Sequence, residues 1–218
     1  MKVASRDYQN DYPSVTQVLD VLRKIGLENW FKFNTPRFIK DKSDKGKLIG
    51  TQIHEAIHTY IETGKTKIET EYPDEVTNAL KSFMLFRKEH PEITLKNAEM
   101  ALTSGIHHYN GTLDCEAERN GAPILLDWKT GEAKEKEYPT IYDEYKYQVS
   151  AYDKLFEEIK QIKPMADIIV SLAKDKVAYN LYEMTREETG EYFNEIFLSA
   201  LRILNCQRKY RKEKNGKV

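Results

Sequence analysis

Gly111-Thr-Leu-Asp-Cys-Glu-Ala-Glu-Arg-Asn-Gly-Ala-Pro-Ile-Leu-Leu-Asp-Trp-Lys-Thr130 holds an Asn-Gly pair, Asn120-Gly121, between two segments of alternating polarity. Such a pair is a strong hairpin signal, because a type I′ turn needs positive φ at both central residues. With Arg119 set opposite Ala122, residue numbers across the hairpin sum to 241. Leu113 then meets Trp128, Cys115 meets Leu126 and Ala117 meets Ile124, so one face is apolar and the register is supported independently of the turn. The other face sets Thr112 against Lys129 and Asp114 against Asp127, with Lys129 on the same side as Asp127.

Carboxylates opposite one another in a ladder have Cβ atoms about 4.5–5.5 Å apart, and like charges so placed weaken a hairpin unless something neutralises them. A divalent cation would neutralise them, and hard cations such as Mg²⁺ and Mn²⁺ prefer carboxylate, carbonyl and water oxygens. The plain alternative is a polar face whose charges splay into solvent. Lys129 favours the metal reading, because an ammonium beside paired carboxylates can orient a water and stabilise charge developing on a phosphoryl group.

Asp114 followed by Asp127-Trp128-Lys129 resembles the G-x-x-D … D-x-K signature of the PD-(D/E)XK nuclease superfamily in its RecB-like exonuclease branch. Other segments extend the resemblance in order. Tyr12-Pro13-Ser14-Val15-Thr16 is similar to the opening segment of that branch, Gly50-Thr51-Gln52-Ile53-His54 to its N-terminal histidine motif, and Gln148 to Tyr152 to its Q-x-x-x-Y helix. A D-x-K tripeptide alone is common; ordered pieces, one on a hairpin of derived register, are far more specific.

The resemblance implies an α/β (α+β) restriction-endonuclease-like core, a central mixed β-sheet flanked by helices, with an N-terminal helical region. It implies a metal-dependent DNA nuclease, an exonuclease leaving 5′-phosphate and 3′-hydroxyl ends, of use in DNA repair or recombination. By the same resemblance His54, Asp114, Asp127 and the Trp128 carbonyl would hold Mg²⁺ or Mn²⁺, which activates a water. Lys129 would position that water, and Gln148 and Tyr152 would orient Lys129 or the substrate strand. Glu99, on the strand before the hairpin, and Thr130, beside Lys129, are further candidates. Leu113 stands where the superfamily name has proline, which is common in this branch. The expected partner is DNA, single-stranded or at duplex ends, with a recombination or replication protein as a candidate second partner.

At 218 residues the chain can bury a substantial core. A single nuclease domain is expected over residues 1–218, with a mainly helical part at 1–92, a sheet core at 93–184, and a C-terminal helix with a basic tail at 185–218. Hydrophobic residues at 40% and charged residues at 32% fit a soluble globular protein. No apolar run reaches the roughly 20 residues needed to cross a bilayer, and Met1–Tyr8 has no apolar signal-peptide core, so no membrane partner and a cytoplasmic location are expected. Cys115 and Cys206 give no disulfide framework, and some RecB-like nucleases hold an iron–sulfur cluster on four cysteines, so no such cluster is expected here.

Net charge is −1, which gives no global sign of nucleic-acid binding. Its distribution is more informative. Between Arg23 and Lys47 basic residues outnumber acidic ones, and Trp30, Phe31, Phe33 and Phe38 are interleaved with them. Basic groups beside aromatic rings suit single-stranded nucleic acid, whereas rings buried in a core would mark an ordinary amphipathic region. The run Arg208–Lys217 reads as a solubilising helix end or a DNA contact.

The periodicities predict a helix capped by Ser14, a short helix at Leu27–Phe33, helices at Lys47–Thr63 and Asp74–His90, and a strand at Ile93–Thr103 ahead of the hairpin. A polar loop at Gly131–Pro139, a helix at Ile141–Ile159, strands at Met165–Ala173 and Val177–Tyr182, and a helix starting at a Thr185…Glu188 capping box complete the reading.

His54-Glu55-Ala56-Ile57-His58 offers a competing reading. H-E-x-x-H places two imidazoles at i and i+4 with a glutamate beside them, as zinc metallopeptidases do, and Glu62, Glu69, Glu71 or Glu75 could supply a third ligand. That reading leaves the Asp114, Asp127 and Lys129 face unexplained. A catalytically inactive relative that only binds DNA or protein is a further alternative.

Overall fold

The computed structural model describes residues 11–22, 28, 31–65 and 72–215. Its centre is a five-stranded sheet in the order β1 (Ile93–Thr103), β2 (Asn110–Arg119), β3 (Ala122–Gly131), β4 (Ala166–Ala173) and β5 (Tyr179–Met184). Only β3 and β4 pair in parallel, and the crossover between them carries helix α4 (Asp143–Lys160); the other neighbours are antiparallel. This is the mixed sheet flanked by helices that the sequence predicts. The need for a long crossover between parallel strands explains why α4 falls there.

Helices α1 (Val15–Leu19), α2 (Pro36–Thr63) and α3 (Asp74–Glu89) precede the sheet. Ser14 and Gln17 form a capping box at α1, and Gly64 ends α2 at φ 69°, as a left-handed C-cap does. The start of α2 departs from the predicted Lys47. Thr35 caps the helix by accepting from Phe38 N, and Pro36 occupies the first turn. The added turns were hidden because nearly all of residues 36–48 are exposed, so they carry no apolar stripe. Phe31, Phe33 and Phe38 are exposed rings rather than core. Residues 31–33 are helical, while the rest of the Leu27–Phe33 expectation, except Glu28, lies outside the described residues, as do Arg23, Lys24, Trp30, Glu69, Glu71 and the Met1–Tyr8 segment.

After the sheet, Thr185 and Glu188 form the expected capping box at α5 (Arg186–Glu191); a π-helical segment, Tyr192–Phe197, then leads into α6 (Leu198–Asn215). Arg208 on α6 donates to the Asp11 carbonyl and to Gln17 Oε1, so part of the C-terminal basic run holds the N-terminal segment in place. No helix among the described residues is long and apolar enough to cross a membrane.

The cores lie on either side of the sheet. Ile53 and Ile57 of α2 and Phe83 and Phe86 of α3 pack with Cys115, Ala117, Ile124, Leu126 and Trp128. Leu155 and Phe156 of α4 pack with Val15, Tyr109, Leu113, Leu125 and Phe197. Leu113 therefore sits on the opposite side from Cys115, which corrects the expectation of one continuous apolar face. Glu99, at φ 52°, lies beside this change of face, outside the extended region in which side chains alternate. The register itself is unbroken there, with Ala98 opposite Cys115 and Met100 opposite Leu113.

Asn120 and Gly121 both have positive φ, 53° and 82°, as the turn requires. The hairpin ladder follows the predicted register from Arg119↔Ala122 to Cys115↔Leu126. Because Gly121 supplies a conformation that a Cβ makes costly, Gly121→Val should lower unfolding stability by about 1–2 kcal/mol in a urea titration, leaving the circular dichroism of the native state unchanged.

Candidate active site

The ladder between β2 and β3 ends at Cys115↔Leu126, one step short of the aspartates. Asp114 and Asp127 are therefore not a ladder pair, nor are Thr112 and Lys129. Instead the Asp114 carboxylate occupies the opening, where Oδ2 accepts from the Trp128 backbone N–H at 2.9 Å. β3 continues beside β4, pairing Asp127 with Ile169 and Lys129 with Ser171. Adjacency of the two aspartates survives in a different form: the Asp127 charge acts on Asp114 from within the protein interior.

Three segments supply one cluster. A ligand atom from each of His54 on α2, Glu99 on β1 and Asp114 on β2 lies within 4.8 Å of the others. His54 Nδ1 is 3.8 Å from Asp114 Oδ1. The left-handed backbone at Glu99 belongs to this arrangement, since it turns β1 at the residue that joins the cluster.

Asp127 stands behind the cluster, with its side chain 1% exposed. Lys129 Nζ is 2.5 Å from Asp127 Oδ2, yet neither Asp127 oxygen has a hydrogen bond of good geometry. The contact is an ion pair of close approach rather than a directional bond. Burial and the neighbouring Asp127 charge hold the Asp114 carboxyl above the ordinary carboxylate range; His54, Lys129 and the Trp128 N–H pull the other way. Burial alone would lower Lys129, but Asp127 and Asp114 outweigh it and hold its pKa above that of a free lysine. The site thus contains a charged ammonium, a cramped pair of carboxylates and an imidazole.

An open cleft of about 890 Å³ runs beside the cluster. Tyr12, Ser14, Thr51, His54, Asp114 and Tyr152 all line it, so the four sequence-distant segments meet in one place. The N-terminal segment is tied there by Asn110, whose N–H donates to the Pro13 carbonyl and whose side-chain amide donates to the Tyr12 carbonyl. Gln148 Nε2 donates to the Tyr152 hydroxyl at 2.7 Å. Thr130 alternates to the face opposite Lys129 and does not line the cleft.

The structure adds residues beyond the predicted site and gives the glycine of G-x-x-D a physical reason. Lys47 and Asn110 line the cleft. Gly111 lets Tyr152 approach, because a Cβ there would lie 2.7 Å from its ring, and a glycine inside a strand is the available signal for such an approach. Tyr145 on α4 places its ring centroid 5.2 Å from Lys129 Nζ.

The second histidine of H-E-x-x-H takes no part in the cluster. His58 Nε2 is 3.1 Å from Glu62 Oε1, and Glu75 receives Lys45 at 2.5 Å. Carboxylates with a single imidazole and no thiolate suit a hard or borderline divalent cation. Asp127 Oδ1, buried and without a hydrogen bond, fits such an ion, which would satisfy it.

No protein-family model matches the chain. Over 162 residues it is 30% identical to mitochondrial genome maintenance exonuclease 1 of Homo sapiens, covering 66% of this chain and 43% of the human protein. The chain thus spans less than half the length of that curated relative. Among solved structures, the alkaline exonuclease LHK-Exo from Laribacter hongkongensis aligns with a TM-score of 0.47 and 14% identity, over 94% of each chain. The same enzyme in complex with dAMP gives 0.46 and 14%, again over 94% of each. The chain is thus similar in sequence to an exonuclease, and the ordered motif segments that resemble those of a nuclease meet in one cleft.

Proposed function

We propose that this protein is a metal-dependent DNA nuclease of the RecB-like type, acting as an exonuclease. The observation that carries the proposal is the convergence of His54, Glu99 and Asp114 beside the buried Asp127–Lys129 pair, at a cleft lined by all four motif segments. His54, Asp114, Asp127 and the Trp128 carbonyl would hold Mg²⁺ or Mn²⁺, with Glu99 as an added ligand. When bound, the ion would supply a Lewis acid for the phosphoryl oxygen and a more acidic water.

The chain's own groups do the rest. Lys129 holds the attacking water and meets the charge on the phosphoryl oxygens as the new P–O bond forms and the bond to the 3′ oxygen breaks, the leaving oxygen taking a proton from solvent. That cut leaves a 5′-phosphate and a 3′-hydroxyl. Tyr152, held by Gln148, and the hydroxyls of Ser14 and Thr51 with Lys47 give the cleft donors for phosphate oxygens. The exposed rings of Phe31, Phe33 and Phe38, set among Lys32, Arg37, Lys40 and Lys42, support a path for a DNA strand outside the cleft. The zinc-peptidase alternative is disfavoured because His54 groups with Glu99 and Asp114 and not with His58, and Glu75 is taken by Lys45.

With end-labelled linear DNA, circular DNA and casein as substrates, linear DNA should be degraded with Mg²⁺ or Mn²⁺ and spared with chelator. Casein cleavage with zinc and intact DNA would overturn the proposal. Lys129→Ala should reduce DNA cleavage by at least about a hundredfold while calorimetry still detects Mn²⁺ binding; His58→Ala should keep its activity, which a zinc peptidase could not.

Asp114→Asn retains an acceptor for the Trp128 N–H and removes a charge from beside Asp127. Its melting temperature without metal should equal or exceed that of the parent at neutral pH, and Mn²⁺ should no longer raise it. For the parent, a raised Asp114 pKa means that its contribution to stability is fully present below the ordinary aspartate range and lost as pH rises through the raised value. The melting-temperature gain of Asp114→Asn over the parent should therefore grow toward alkaline pH, and a gain confined to acid pH would contradict this assignment.

A further inference from the structure

Lys129 has company that neither the Q-x-x-x-Y pattern nor the hairpin foretells. Gln148 and Tyr152 bond to each other, and Tyr152 lines the cleft. The side chain that meets the lysine is Tyr145, one helical turn before Gln148 on α4, with its ring centroid 5.2 Å from Nζ. The lysine side chain is 15% exposed, so the ammonium sits in a partly dry site where attraction to the face of an aromatic ring is stronger than in water.

The ring is itself held. Tyr145 packs against the Val149, Ile169 and Met184 cluster, and its ring meets that of Tyr142 edge-on at 5.5 Å. On the other side of Lys129, β4 presents Ser171, paired with it in register and carrying a buried hydroxyl without a hydrogen bond. The ion-pair partner of the ammonium is Asp127, one of the groups assigned to the metal. Were Asp127 to share its charge with a bound cation, that contact would weaken and the lysine would need another restraint to stay aimed at the reacting phosphate.

We propose that Tyr145 is a positioning residue for Lys129, holding the ammonium by its ring face when the Asp127 carboxylate is engaged by metal. This rests on the nuclease reading above. The phenol hydroxyl has no part in it; the ring's negative face does. Tyr145 therefore acts on the chemical step and not on the binding of DNA or metal.

The test replaces Tyr145 with Phe, with 4-fluoro-Phe, with 3,4,5-trifluoro-Phe and with Leu. The fluorinated rings keep nearly the same shape while progressively cancelling the charge on the face. Tyr145→Phe should retain kcat to within about threefold, and kcat should fall stepwise along the fluorinated series to about tenfold below Phe, with Leu at least as low. KM for DNA and the Mn²⁺ concentration at half activity should stay within about twofold across the series, the pattern expected when only the transition state is affected. A flat kcat from Phe to trifluoro-Phe, a loss of activity already at Phe, or a rise in KM with kcat preserved would each overturn the proposal.

A readout independent of activity separates this proposal from the nuclease reading. The Lys129 ε-methylene signal in a ¹³C NMR spectrum should be shifted upfield by the ring in the parent and in Tyr145→Phe, and should return toward the free-lysine position in Tyr145→Leu. An unshifted signal in the parent overturns the contact itself, whereas a shifted signal in a protein that cuts no DNA would indict the nuclease reading instead.

Discussion

The hydrogen bond from the Trp128 backbone amide to the Asp114 carboxylate is the constraint from which the rest of the site follows. It replaces the next rung of a β-ladder with a charged side chain, so β2 and β3 part company and leave an opening with two aspartates at its edge. Charge-assisted bonds of this kind are stronger than neutral ones and fix the carboxylate where it would otherwise seek solvent. The arrangement is costly without an ion. A buried charge left uncompensated costs roughly 3–5 kcal/mol, and Asp127 has only the close approach of Lys129 to offset it. A metal site is a physical reason for a protein to keep such a configuration.

The other elements serve that opening. Helix α2 carries His54 in register with the core residues Ile53 and Ile57, so the imidazole's position is set by packing. The left-handed residue Glu99 lies where β1 brings a third side chain to the cluster, and the apolar residues of β2 divide between the two cores. Asn110 and Arg208 hold the Tyr12–Gln17 segment against the sheet from two directions. Function here depends on contacts far apart in sequence, which is why the motif segments are individually weak and collectively informative.

What could be read from the chain follows from which interactions are local. The turn at Asn120-Gly121 dictates its own backbone, and the register up to Cys115↔Leu126 followed from it. The caps at Ser14 and Thr185 are equally local. The failure to pair Asp114 with Asp127 was not legible, because a side chain substituting for a backbone rung leaves no mark on periodicity. Nor was the reversal of faces at Glu99, since glutamate carries no preference for positive φ. The early start of α2 was missed for a different reason: an exposed helix has no stripe to detect. Tyr145 lay one turn before the recognised glutamine, and only the packing of α4 on β3 and β4 shows that it is the ring facing Lys129.

The opening between β2 and β3 has the donor set of a metal site. Crystals of the protein soaked with Mn²⁺, with diffraction recorded at the manganese absorption edge, test it most directly. An anomalous peak should appear about 2.0–2.3 Å from donor atoms of His54, Asp114 and Asp127. A peak bridging His54 and His58, or none among these side chains, would contradict it.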